Sequence, residues 1–211
     1  MVNLVNRIQE KSPMQAVDRL VPSIFCWSKM GSEAGQPLRD IIRRKELERQ
    51  AGSGTFAWGI GSSVGPAVKY AKSAAGVREL DVLFTPMKSA PKAIDVAPSR
   101  LLLWRAYLGE DGQTYPLPGH MLITSRGHSE AGEQKRGHYA LICQSERSLL
   151  AQVGETAIDH RATCNLISTS PVGASQVTAV VRYRHAESFE TTYPVAFRAK
   201  LTGLAFVRLV M

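Results

Sequence analysis

Apolar positions change their period along the chain, and the changes mark the elements. Over residues 4–20, Leu4, Val5, Ile8, Met14, Val17 and Leu20 recur at helical spacing among polar residues. Ser12 and Pro13 interrupt them as a cap followed by a first-turn proline, which predicts two short helices. Residues 23–29 form a dense run of aromatic and branched side chains, predicting a strand buried on both faces. Pro37 then opens a predicted helix to about Ala51. Leu38, Ile41, Ile42 and Leu47 take one side of it, and Arg39, Arg43, Arg44, Lys45 and Arg49 take the rest. Gly52, Ser53 and Gly54 stop it.

Beyond that helix the period shortens. Residues 55–61 read as a strand entering a glycine-rich turn, and a helix is expected over 65–75. Strands are expected over 80–85, 100–108, 119–125, 138–143, 163–168 and 177–184, with one or two more between 193 and 210. Residues 109–112 are a hairpin-type turn, 126–137 a polar loop expected to be mobile, and 145–151 a helical turn. Strands outnumber helices, and the helices cluster in the first third. That order predicts an α+β fold, a curved sheet or open barrel, and not a doubly wound parallel sheet.

Composition and charge add a partner to this picture. The chain has 211 residues, 44% hydrophobic and 21% charged, enough for a sizeable core without staples. Net charge is +8 and the pI about 9.6, so the surface attracts polyanions. Cys26, Cys143 and Cys164 are odd in number and widely spaced, which excludes a disulfide framework and suits a reducing compartment. No apolar stretch nears the roughly 20 residues of a membrane span. The first residues lack a signal-peptide core. A cytoplasmic protein without a membrane partner is expected, with homo-oligomerisation left open.

Candidate chemistry is sparse. The five histidines are scattered, with no cysteine or histidine pair at ligand spacing, so neither metal nor cofactor is expected. A nucleophile elbow is absent, and Cys26 and Cys143 sit inside apolar runs. Phe25 with Trp27, and Phe56 with Trp58, have the i, i+2 spacing that sends each pair to one strand face, where Phe25 and Phe56 are expected to fill the core. Trp58 instead directly precedes Gly59, Ile60, Gly61, Ser62 and Ser63, where backbone is exposed. An indole at such a lip can stack on a base, worth about 1–3 kcal/mol. Arg43, Arg44, Lys69, Lys88, Lys92, Lys135 and Arg136 form a candidate phosphate-binding rim. Because Glu46 and Glu48 interleave, the helix cations also fit a plain solvated face.

Three segments carry a family likeness. Phe25 to Lys29, Phe56 to Ile60 and Asp81 to Lys88 follow one another in an order that resembles the PUA-like superfamily, in particular its EVE and YTH branches. The resemblance runs from about Phe25 to Cys143. It implies a PUA-like open barrel, a twisted mixed β-sheet flanked by helices, spanning 23–211 with the C-terminal strands, behind a helical extension over 1–22. It also implies a non-enzymatic module that holds an unpaired or flipped base of DNA or RNA, modified or not. In that reading Trp58 starts the aromatic cage, with Ser28, Lys29, Gly59, Ile60, Ser62, Met87, Ser89 and Trp104 as further base contacts. Two other readings stay open: a metal-dependent nuclease using Asp81, Asp95 and Lys92, and a subunit whose basic face binds an acidic protein.

Overall fold

The computed structural model describes residues 21–31, 37–61, 80–87, 100–104, 106–108, 113–121, 123–127, 138–152, 156–166, 168–173, 178–184 and 192–208. The helices expected over 4–20 and 65–75 and most of the loop over 126–137 lie outside them. The described chain is α+β, with one α-helix, two short 3-10 turns and thirteen strands.

Strand β1, Ile24–Met30, runs parallel to β3, Leu80–Pro86, and antiparallel to β11, Thr178–Tyr183. β11 also pairs β10, Thr163–Asn165. β13, Phe197–Arg208, pairs β3 through its first half and β5, Ala106–Leu108, through its last residues. β6, Thr114–Pro116, continues beyond β5. Along its other edge β13 pairs β8, His138–Gln144, which pairs β2, Thr55–Gly61. Together these make a nine-stranded mixed sheet. Two separate ladders join β9, Thr156–Asp159, to β12, Thr192–Val195, and β4, Arg100–Trp104, to β7, Ile123–Gly127.

The run expected as one strand over 100–108 is therefore two strands with different partners. The strand expected over 119–125 begins at Ile123, after a turn at Gly119 and His120. The helical turn near 150 is a 3-10 turn, Leu150–Gln152.

Strand alternation divides the core. From β1 and β3, Cys26, Met30, Leu80, Val82 and Phe84 enter one cluster with Phe56, Leu141, Cys143 and Phe197. Phe25, Trp27 and Leu83 point the other way, into a second cluster with Ile158, Val172, Val181, Tyr183 and Val195. β1 is buried on both faces, as its apolar run predicts. Hydrogen bonding does not close the sheet among the described strands, but the sheet curls strongly. β2 comes over β3, and the rings of Trp58 and Phe84 meet at 4.9 Å between centroids.

Helix α1, Leu38–Ala51, begins after Pro37 as the sequence predicts, and Gly52 caps it by donating its N–H to Glu48 O. A β-carbon on Gly52 would stand 2.3 Å from the His120 ring and 2.6 Å from Thr55 O, so only glycine fits this corner. The buried face differs from expectation. Ile41 and Ile42 are buried, but Leu47 is 66% exposed, while Lys45, Glu46 and Glu48 are buried. The reason lies in what the helix covers. It lies along β2, where the Ala57 N–H needs an acceptor, and against the turn after β8, where the Leu149 N–H needs another. Glu48 Oε2 accepts from Ala57 at 3.4 Å and Glu46 Oε2 from Leu149 at 2.8 Å. Lys45 neutralises Glu48 at 2.7 Å, and Arg49 closes on both Glu46 oxygens at 2.8 and 2.9 Å.

Candidate nucleic-acid interface

The residues expected to hold a base separate onto two faces of the sheet. Ser28 lies opposite Phe84 in the β1–β3 register, and Phe84 is the ring that Trp58 touches. Ser28 is fully buried, its Oγ 3.4 Å from Thr178 Oγ1. Trp58 is half-buried. It meets Phe84 edge-on at 4.9 Å and Phe197 at 6.1 Å, while Phe84 and Phe197 stack at 4.4 Å. Phe56 completes the group at 6.2 to 6.4 Å and fills the core as expected. Trp58 is thus the outermost ring of a four-membered aromatic cluster. Gly59 beside it is exposed, and Ile60 is half-buried against the same core. Met87 is half-buried at the end of β3 and donates its N–H to Met30 O.

Lys29 does not join this group. One position past Ser28, it turns to the opposite face. Its Nζ lies 4.6 Å from the Trp27 ring centroid and 5.9 Å from that of Tyr193, and donates to Gly173 O at 3.1 Å. Burial lowers its pKa. Trp27, Tyr193 and His160 form a triangle of rings 5.3 to 5.9 Å apart, and Trp27 Nε1 donates to Thr85 Oγ1 at 2.9 Å. His160 Nε2 lies 2.8 Å from Val172 O. These contacts tie the 171–173 segment to the sheet and leave the Lys29 ammonium engaged with the protein itself.

Of the expected phosphate rim, Arg43 is exposed and Arg44 half-buried on α1. Lys69, Lys88, Lys92, Lys135 and Arg136 lie outside the described residues, as do Ser62, Ser89 and Asp95. Trp104 is placed in β4. Asp81 is on β3, where Lys200 and Arg198 approach its carboxylate at 2.9 and 3.9 Å. Cys26 and Cys143 are buried free thiols, and burial pushes Cys26 up to about 12 and Cys143 well above its ordinary range.

A concavity of about 540 Å³ opens on the Lys29 face, at the start of β13. It is lined by Asp81, Glu146, Arg147, Gln152, Arg198 and Lys200 among others, and not by Trp58. Arg147, Arg198 and Lys200 were not singled out by sequence reasoning, although the signal is present. Phe197 to Leu201 alternates apolar, cation, apolar, cation, apolar, which sends both cations to one face.

Among the described residues no helix is long and apolar enough to cross a membrane. Together the fold and these side chains define a basic α+β chain with an aromatic rim on one sheet face and a cationic groove on the other. No family model, curated protein or solved structure matches it.

Proposed function

We propose that this chain is a non-enzymatic nucleic-acid-binding module of the PUA-like kind, which holds an unpaired or flipped base against Trp58. The observation that carries the reading is the place of Trp58. It is the half-buried edge of a cluster whose other three rings, Phe56, Phe84 and Phe197, are fully buried. Those rings fix the indole in one orientation, and a preorganised flat surface binds a planar base with little entropic cost. The curl of the sheet that brings β2 over β3 fits an open barrel of that superfamily. Exposed Gly59 backbone beside the indole offers polar groups for a base edge, which would discriminate among bases only for an extruded or single-stranded nucleotide. The net charge of +8 supplies the attraction to phosphate, and Arg43 is an exposed cation of α1.

The test is a titration of labelled single- and double-stranded DNA and RNA, with and without modified bases, at two salt concentrations. Trp58→Ala should weaken binding by about five- to a hundred-fold, the range that one stacked base contributes, while the protein stays folded. A folded Trp58→Ala variant with undiminished affinity rules the indole out as a base contact.

A further inference from the structure

We propose that the groove at the start of β13 is a phosphate-binding site, and that in the nucleic-acid reading, on which this step rests, it takes the phosphodiester backbone of the bound strand. Three features carry it. Arg147, Arg198 and Lys200 face two carboxylates, Asp81 and Glu146, so the groove holds one positive charge in excess. The two strand cations are about half-exposed, with side chains 45% and 44% accessible, so they reach both the protein and an incoming anion.

They are also held in place. Asp81 is largely buried beneath them; Lys200 Nζ stands 2.9 Å from its Oδ1, out of line for a hydrogen bond, and Arg198 Nη2 stands 3.9 Å from its Oδ2. The Asp81 ion pair occupies only part of the Lys200 ammonium, which carries three N–H groups. Gln152, itself buried, ties the two sides of the groove together. Its Oε1 accepts from the Arg198 backbone N–H at 3.1 Å, and its Nε2 donates to Ser145 Oγ at 3.2 Å and to Arg147 O at 3.5 Å. The cations therefore project from a strand and a braced turn, the kind of rigid support a binding site requires. A volume of 540 Å³ falls in the range of ligand pockets, and Arg147, Arg198 and Lys200 in its mixed polar and apolar lining suit an anion.

The experiment uses the full chain with two probes, a homopolymer deoxythymidine oligonucleotide and inorganic pyrophosphate. Each is titrated against the wild type and the single variants Arg198→Gln, Arg147→Gln and Trp58→Ala, with thermal melts alongside. Exposed Arg147 guards against a failure of Arg198→Gln to fold. Each arginine variant should lower oligonucleotide affinity at least three-fold and reduce the slope of log affinity against log salt by about 0.7. Trp58→Ala should lower affinity without changing that slope. Pyrophosphate binding that falls in the arginine variants, with no oligonucleotide binding by any form, upholds the groove as a phosphate site and sinks the nucleic-acid reading. Folded arginine variants that match the wild type in affinity for both probes and in salt slope overturn the groove proposal, whatever Trp58→Ala does.

Discussion

The indole of Trp58 meets the ring of Phe84 edge-on, 4.9 Å between centroids, although β8 and β13 separate their strands in the ladder. Trp58 pairs with Leu141 and Leu141 with Leu204, whereas Phe84 pairs with Phe197 at the other end of β13. In a flat sheet the two rings would stand about 14 Å apart across the strands and about 23 Å along them. The sheet has to coil over itself for them to touch, and the register shift between Leu201 and Gly203 is where β13 departs from regular pairing.

This contact separates two roles for Trp58. Trp58→Phe keeps an aromatic ring on Phe84 and should cost only about 1 kcal/mol of stability, the scale of an aromatic pair. Loss of the larger indole surface should still weaken base stacking. Urea unfolding and oligonucleotide titration of the same sample check this: a large affinity loss with a small stability loss is expected.

The buried pair Lys45 and Glu48 gives a sharper stability prediction. Burial lowers Lys45 to about 8, although Glu48 opposes the shift through its charge and hydrogen bond. Lys45→Met takes its cation away from the buried Glu48 carboxylate and should cost about 3–5 kcal/mol. Lys45→Met with Glu48→Leu removes both charges and should recover much of that loss. Recovery should be incomplete, because the Ala57 N–H loses its acceptor. Chemical denaturation of the three proteins makes the comparison.

Glu46 makes acid stability testable. The hydrogen-bonded Arg49 guanidinium, with the Leu149 N–H and the Gln50 amide, holds its carboxyl at about 2 against the effect of burial. A folded pKa below the unfolded value of 4.5 means that the unfolded chain binds the proton first. The stabilisation is complete above pH 4.5 and is lost as pH falls toward 2. Its full size is roughly 3 kcal/mol. The stability gap between wild type and Glu46→Gln should therefore be constant from pH 7 to 5 and shrink between pH 4.5 and 2, as measured by urea melts across that range.

Much of this architecture was legible in the chain, and the exceptions share one cause. The aromatic run of β1, the Pro37 helix start and the apolar runs of β3 and β11 are local signals, and the elements follow them. Leu47 misled because helical periodicity counts apolar residues, whereas this helix packs against unpaired backbone N–H groups that need carboxylates. The short strand β9 exists only through pairing with β12, which no local pattern reveals. The site divided for a similar reason. Ser28 and Lys29 are adjacent in sequence, but the pleat sends them to opposite faces, and only the curl of the sheet selects the one that Trp58 joins.

The cysteines test burial directly. Cys26 and Cys143 are fully buried with thiols shifted far up, while Cys164 is half-exposed on β10. In the native protein at pH 8 a thiol reagent should label Cys164 alone. Cys26 and Cys143 should react only after denaturant is added. Rapid native labelling of two or more thiols would contradict the packing described around β1 and β8.

Lys29 supplies the last prediction, because its two candidate roles leave different traces. As a base contact it would affect affinity; as a tie to the 171–173 segment it affects stability. Its ammonium bonds Gly173 O and faces the rings of Trp27 and Tyr193, so Lys29→Met should lose that hydrogen bond and the cation–π attraction, about 1–3 kcal/mol together. The methionine keeps an apolar stem against Trp27, which limits the loss to the charged head. Base discrimination by the folded variant should equal that of the wild type, because the side chain lies on the sheet face away from Trp58. A Lys29→Met protein of unchanged melting temperature that no longer tells one base from another would put the ammonium back beside the base and overturn the division of the site into two faces.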